Sequence, residues 1–312
     1  MGTPESALPS LDAILAAGHD VSLVCTQPDR PAGRRKAPQA SPVKELALAR
    51  GLRVIQPEKV RTPEFLEAIL GTDPDVLAVV AYGRILTRPV LDAARHGGVN
   101  LHFSLLPAFR GAAPVQWALA RGECATGVTT FRIDEGLDTG DVLGQRGVAI
   151  APGEHAPALL ARLAAVGAAL LVETLGGLAA GSIAPTPQDH TRATAAPILT
   201  REDGRWDEAW TARQLEGCVR GFDPWPGVWA ARAGKRLRIV GATALAGAIT
   251  EADPGTVLSS DAEGLSVACA GGTVAMVDSV QPEGGRAMRA REAVNGRLIC
   301  PGDRFERPEP AA

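Results

Sequence analysis

Apolar residues follow two rhythms along the first 180 or so positions of this chain. Short apolar runs at Val21–Cys25, Val76–Ala81 and Gly98–His102 have the length and bounding turns of buried strands. Between them, Leu8–Ala17, Pro42–Arg50, Pro63–Leu70 and Pro114–Ala120 carry helical patterns. Val128–Ile133 and Asp141–Ile150 predict two later strands, and Ala156–Gly181 predicts an alanine- and leucine-rich helix that closes the domain. Such alternation predicts an α/β fold, a Rossmann-like and mostly parallel sheet covered by helices on both faces.

The rhythm changes after residue 181. Ser182 to Asp203 is polar and holds Pro185, Pro187 and Pro197, the composition of a linker. A short helix is expected near Thr211–Val219. Beyond Trp225 come five short strands with turns, at Trp229–Ala231, Arg236–Val240, Gly255–Leu258, Leu265–Ala268 and Val274–Val280, which predict a small β-barrel. The expected division is 1–181, a linker over 182–203, and a second domain over 204–312.

Composition narrows the class. With 312 residues and 46% hydrophobic content, there is material for two cores. A net charge of −3 excludes a globally basic nucleic-acid binder and leaves room for a local basic patch. The five cysteines are scattered, with no C-x-x-C pair, so they are expected to be reduced, buried thiols of a cytoplasmic protein. No apolar run of bilayer-spanning length and no secretory leader is expected. Neither G-x-G-x-x-G nor G-x-x-x-x-G-K-[ST] occurs, so the sheet is not expected to hold a dinucleotide or a nucleoside triphosphate.

The densest chemical signal is Asn100-Leu101-His102, followed by Ser104-Leu105-Leu106-Pro107 and by Arg110-Gly111-Ala112-Ala113-Pro114. Open α/β sheets bind ligands beyond the carboxyl ends of their strands, and this one turns polar there. Strand alternation points Asn100 and His102 to the same side. An amide beside an imidazole is able to donate to a developing oxyanion, although an Asn-x-His alone is more often structural. The second signal is Asp134-Glu135-Gly136-Leu137-Asp138-Thr139-Gly140-Asp141. By itself this is a solvated turn or a hard-cation loop. No further carboxylate or histidine cluster points to a metal. A carboxylate packed near His102 would raise the imidazole pKa and fix its tautomer.

Together, Asn100-x-His102-x-Ser104-Leu105-Leu106-Pro107 and Leu137-Asp138-x-Gly140 resemble the formyltransferase family that uses 10-formyltetrahydrofolate. The resemblance implies that Asn100, His102 and Asp138 are catalytic. Asn100 and His102 would stabilise the oxyanion of a direct amine attack, and Asp138 would orient His102 and assist proton movement. It implies that Ser104, Leu105, Leu106 and Pro107 line the folate pocket, together with Tyr82, Gly83, Ile85 and Leu86 from Val80–Leu86. Three stretches, Thr26–Arg34, Arg110–Pro114 and Phe222–Pro226, are similar to the branch of that family acting on methionyl-tRNA. The implied partners are initiator methionyl-tRNA and the folate co-substrate, with no metal and no membrane, in a monomer. The second domain is then OB-like and tRNA-binding.

On the RNA side, Pro28–Pro42 holds Arg30, Arg34, Arg35 and Lys36 against one acid, Asp29, and Lys44 follows. Proline and glycine predict a protruding loop there. The family places its tRNA-entering loop at this position, with Arg34 matching the principal arginine. Lys235, Arg236 and Arg238 share one strand and would neutralise phosphates, or simply protect an exposed edge. Three departures from the family pattern are Ile198 and Gly285 where basic residues are usual, and Phe103 where a small residue is common.

At the start, Thr3 as N-cap, Pro4 at N1 and Glu5 in the first turn predict a helix beginning. The family has an apolar strand running straight into this turn. A start several residues upstream is therefore expected, and with the chain as given a gap at the sheet centre, poor folding and low activity are expected. Rival readings keep the chemistry and change the acceptor to a sugar amine, a nucleotide precursor or water, or make the chain a non-catalytic relic.

Overall fold

The computed structural model describes residues 1–32 and 37–308. They form two compact units. One comprises Met1–Gly111, Ala125–Ala149 and Leu160–Ala196; the other comprises Ala112–Cys124, Ile150–Leu159 and the chain from Pro197 onward. The polar segment expected to link two domains is thus divided, with its first part, up to Ala196, packed into the first unit.

In chain order the elements are α1 (Leu8–Ala16), β1 (Val24–Cys25), β2 (Arg30–Ala32), β3 (Ala37–Gln39), α2 (Pro42–Ala49), β4 (Val54–Ile55), α3 (Pro63–Leu70), β5 (Leu77–Val80), α4 (Arg88–Asp92) and β6 (Gly98–His102). There follow α5 (Pro114–Ala120), β7 (Ala125–Arg132), β8 (Val142–Ala149), α6 (Ala156–Ala179), α7 (Ala212–Gly221), β9 (Val228–Arg232), β10 (Lys235–Ile249), β11 (Val257–Ser260), β12 (Leu265–Ala268), β13 (Thr273–Pro282), β14 (Met288–Arg289) and α8 (Ala290–Asn295).

In the first unit β1 pairs parallel with β4, and β5 pairs parallel with β6; β7 and β8 then extend β6 in antiparallel fashion. The strands thus form a two-stranded parallel sheet, β1-β4, and a four-stranded sheet, β5-β6-β7-β8, that is parallel at its first pairing and antiparallel at the next two, less parallel than expected. Two of these helices start where a side chain satisfies a free N–H group: Ser41 caps α2 through the Lys44 N–H, and Thr62 caps α3 through the Phe65 N–H. Thr3 does not cap as expected. The first turn is a 3₁₀ helix, Glu5–Ala7, without a side-chain cap, and the Thr3 hydroxyl instead accepts the Gln27 N–H and donates to the Tyr82 carbonyl, both at 3.4 Å.

Between β1 and β5 lie only Met1 and Gly2, among the described residues. The Met1 nitrogen donates to Ala78 O, its carbonyl accepts from the Val80 N–H, and Gly2 N–H donates to Cys25 O. Next to these two residues the edges of β1 and β5 flank a cleft of about 630 Å³. Leu11, Ile14, Leu23, Val76, Leu175 and Leu178 line it, and so does Ser10, whose buried hydroxyl has no partner.

Helix α6 is, among the described residues, the one helix long and apolar enough to cross a membrane, contrary to the expectation that no such run exists. Here it is a core helix: Leu163, Ala164, Ala168, Leu171 and Thr174 are buried, and the Thr174 hydroxyl bonds Thr130 of β7.

In the second unit the sheet order is β11-β12-β13-β10-β9, with β14 on the side of β13, and every pairing is antiparallel. The expected barrel is not closed by strand pairing among the described residues. Isolated bridges tie the C-terminal segment to both ends, Ala231 with Glu306 and Thr256 with Arg304. The expected strand at Arg236–Val240 is one-third of β10, which passes bulges near Gly241 and continues through an alanine- and glycine-rich stretch. Trp206, Phe222, Leu215, Ile239 and Phe305 fill the core. Helices α5 and α7 approach closely because Gly217 and Gly221 lie one turn apart. A Cβ at either would come within 2.5 Å of a carbonyl of α5, Leu119 O at 2.4 Å or Gln116 O at 2.5 Å.

Candidate active site

Strand β6 ends the parallel run and supplies the first two polar groups. Leu101 points to the face of α6, close enough that a Cβ on Gly167 would lie 2.7 Å from its Cδ2. Asn100 and His102 take the opposite face. The Asn100 Oδ1 is buried without a hydrogen-bond partner, and His102 is 6% exposed. The imidazole meets Phe131 of β7 edge-on, with centroids 6.5 Å apart.

The ring has one fixed nitrogen. His102 Nε2 lies 2.8 Å from the Phe109 carbonyl oxygen, so Nε2 carries a proton and donates it there. Nδ1 is left facing Asp138 Oδ2 at 3.7 Å. In the neutral ring Nδ1 therefore presents a lone pair to a carboxylate, and in the protonated ring it presents an N–H.

Asp138 is placed by its loop rather than by a regular element. Its φ of +55° is left-handed, its Oδ2 accepts the Gly111 N–H at 2.8 Å, and a Cβ at Gly140 would strike the Arg132 carbonyl. Asp134 organises the same loop, accepting from the Gly136 N–H and the Thr139 hydroxyl. Among the described residues, no group of three or more His, Cys, Asp or Glu side chains is arranged to hold a metal ion.

The pocket residues read from the sequence divide into two kinds. Ser104 is fully buried and its hydroxyl donates to Ala108 O, closing its own turn. Leu106 is buried, its N–H held by Thr129 Oγ1 and its carbonyl by Gln145 Nε2; it precedes cis Pro107. Leu105 lies against Gly127 of β7, where a Cβ would come within 2.5 Å of its Cδ2. Tyr82 and Leu86 are buried, whereas Ile85 is 67% exposed. Gln27 Nε2 donates to Tyr82 O and leaves no room for a Cβ at Gly83, whose φ is +72°. The Tyr82 hydroxyl is buried without a partner, and burial pushes its pKa up, with the field of Cys25 adding to the rise. Tyr82 Oη and Asn100 Oδ1 are thus left as buried polar atoms without partners, as are Ser10 Oγ and Thr126 Oγ1 in the same unit.

Of the basic residues, Arg34, Arg35 and Lys36 lie outside the described residues. Arg30 donates to Gln27 Oε1. Asp29 is gripped by Gln56 and Lys44, whose hydrogen bonds hold its carboxyl below the usual range. In the second unit Lys235 is exposed, while Arg238 pairs with Asp223 at 3.2 Å and donates to Pro224 O. Asp223 also meets His155 at 3.2 Å. Ile198 is 73% exposed and Phe103 is buried.

Residues beyond the sequence reading also build the site. Gly111, with φ +126° and a would-be Cβ 2.5 Å from Ala196 O, was legible as a glycine beside Arg110, though its role was not. Gln27 lay within the Thr26–Arg34 stretch, but its hold on the Tyr82 carbonyl did not show; Gln145 and Gln188 gave no signal, because each acts on backbone groups far away in sequence.

Comparison with known proteins follows the same lines. A formyl transferase family model matches residues 1–175, and a model of the formyl transferase C-terminal domain matches 198–298. The methionyl-tRNA formyltransferase of Acidobacterium capsulatum is 49% identical over 305 residues, 97% of each chain. That of Myxococcus xanthus is 47% identical over 97% of this chain and 95% of its own. Among solved structures, an N-formyltransferase from Helicobacter canadensis superposes with a TM-score of 0.64 at 16% identity, over 88% of this chain and 96% of that one, a likeness of fold. The chain thus belongs to the formyltransferase family.

Proposed function

We propose that the protein transfers the formyl group of 10-formyltetrahydrofolate to the α-amine of methionine on initiator tRNA. The observation that carries the reaction type is the His102 ring, fixed at Nε2 by a backbone carbonyl with Nδ1 toward Asp138. The acceptor rests on the end-to-end likeness to relatives bearing the name methionyl-tRNA formyltransferase.

The folate co-substrate supplies an activated formyl carbon. The chain's residues supply the proton path and the field. His102 Nδ1 accepts the proton that the attacking amine gives up as the new C–N bond forms. Asp138 stabilises the imidazolium, which returns its proton to the departing folate nitrogen as the old C–N bond breaks. Asn100 turns its amide to the formyl oxygen, where charge builds. Each role is worth roughly 10²–10⁴ in rate. Tyr82, Gly83, Ile85, Leu86 and Ser104–Pro107 form the folate pocket, Tyr82 and Ser104 mainly by shaping its walls. Arg30, Arg34, Arg35 and Lys36 receive the acceptor end of the tRNA. The second unit's antiparallel sheet acts as an OB-like RNA-binding domain through Lys235 and Arg236, while Arg238 braces it internally. The enzyme acts in the cytoplasm as a monomer.

The test uses the purified protein with 10-formyltetrahydrofolate and, in parallel, methionyl initiator tRNA, methionyl elongator tRNA, a sugar amine, or water. Formylation of the initiator species well above the others is expected. Equal transfer to a sugar amine, release of formate alone, or no reaction would overturn the reading.

A further inference from the structure

The segment before Ala196 reads as linker sequence, yet it is stitched to the loop that supports His102. Arg110 N–H donates to Thr194 O at 2.8 Å, Ala196 N–H to Arg110 O at 2.7 Å, and Phe109 N–H to the Thr194 hydroxyl at 2.8 Å. Upstream, Thr186 and Val142 exchange both backbone hydrogen bonds. At the centre is Gln188, 7% exposed, with its carboxamide fully used. Nε2 donates to Asp138 O at 2.9 Å and to Gly140 O at 2.7 Å. Oε1 accepts from Arg110 Nη2 at 2.6 Å and from Nε at 3.2 Å.

We propose that Gln188 is a positioning residue for formyl transfer, holding the backbone of Asp138 so that its carboxylate stands against His102 Nδ1; this rests on the proton-transfer role given to that pair above. Two carbonyls converge on one amide, and only a group with two donors and an acceptor satisfies both of them and Arg110. A left-handed aspartate in a loop has no regular element to hold it. With its carbonyl tied on one side and its carboxylate tied to Gly111 N–H on the other, Asp138 keeps one orientation. Gln188 touches no reacting atom; it acts through Asp138.

Gln188→Glu is nearly isosteric and keeps the acceptor for Arg110, but it faces the Asp138 and Gly140 carbonyls with a carboxylate. The full-length protein carrying it is compared with wild type, with Asp138→Asn and with the double variant, by steady-state kinetics and by the ¹⁵N resonance of the His102 imidazole. The expected result is a kcat lowered by about 10²-fold, the scale of an ångström-level misplacement. KM for both substrates stays within about twofold, the His102 resonance moves, and adding Gln188→Glu to Asp138→Asn costs no more than about twofold further. Should Gln188→Glu not fold, Gln188→Asn, which keeps both donors on a shorter arm, is held to the same expectations. Wild-type kcat, a loss confined to KM, or full additivity with Asp138→Asn overturns the role of Gln188. If Asp138→Asn itself leaves kcat intact, the proton-transfer reading fails instead, and the role given to Gln188 fails with it.

Discussion

Asp138 Oδ2 stands 3.7 Å from His102 Nδ1 while accepting the Gly111 N–H at 2.8 Å. One oxygen thus serves both the loop and the ring. Asp138→Asn keeps an oxygen for Gly111 and removes the charge that stabilises the imidazolium. Its kcat for formyl transfer is expected to drop by about 10²–10⁴ with the thermal midpoint little changed. His102→Ala is expected to lose at least as much, and near-normal turnover in either variant would remove the pair from the mechanism.

Gly111→Ala combines strain and collision, a φ of +126° and a Cβ 2.5 Å from a backbone oxygen. Gly153 has φ +72° and open space around its would-be Cβ. The first substitution is expected to destabilise by about 1–3 kcal/mol and the second by about 1 kcal/mol, read from urea midpoints. Equal effects would show that the 107–111 loop relaxes freely.

Much of this fold was legible. Pro63–Leu70, Pro114–Ala120 and Gly98–His102 match their expected bounds, because a proline start or a compact apolar run marks the ends. Helices α4 and α8 were missed, being a turn or so long with little periodicity. The second half of β10 has alanines and glycines where alternation would show, so only Arg236–Val240 announced a strand. In the site, Asn100, His102 and Asp138 carried chemistry visible in their residue types. The tautomer of His102 did not, since it is set by the Phe109 carbonyl seven residues on, in a loop whose path depends on Thr194.

Asp29 gives a pH prediction. Hydrogen bonds from Gln56 and Lys44 lower its folded pKa below the ordinary 3.8. The contribution is therefore complete above that value and is lost as pH falls through the folded pKa. Wild type is expected to lose stability more steeply below pH ~4 than Asp29→Asn, as followed by urea midpoints at a series of acidic pH values. Parallel acid limbs would mean the grip on Asp29 does not survive in solution.

Thiol labelling should separate the five cysteines. Burial pushes Cys25 up to about 11 and Cys218 and Cys269 up to about 12, leaving almost no thiolate at neutral pH. Cys124 is exposed and Cys300 half-buried. A disulfide reagent at pH 7.5 is expected to modify Cys124 first, Cys300 more slowly, and the other three only in denaturant. Rapid native labelling at Cys218 would indicate that the core around α7 opens easily.

The stitched stretch from Thr186 to Ala196 also bears on how the chain is cut. Asp189 to Arg192 is exposed, and Arg192 offers trypsin a site in what looks like a spacer. A protease must draw several residues into extended form, and here the flanks are held at Thr186, Gln188 and Thr194. Cleavage after Arg192 therefore waits on local opening of the loop that aligns His102 and Asp138, so its rate is a clock for the stability of the active site itself.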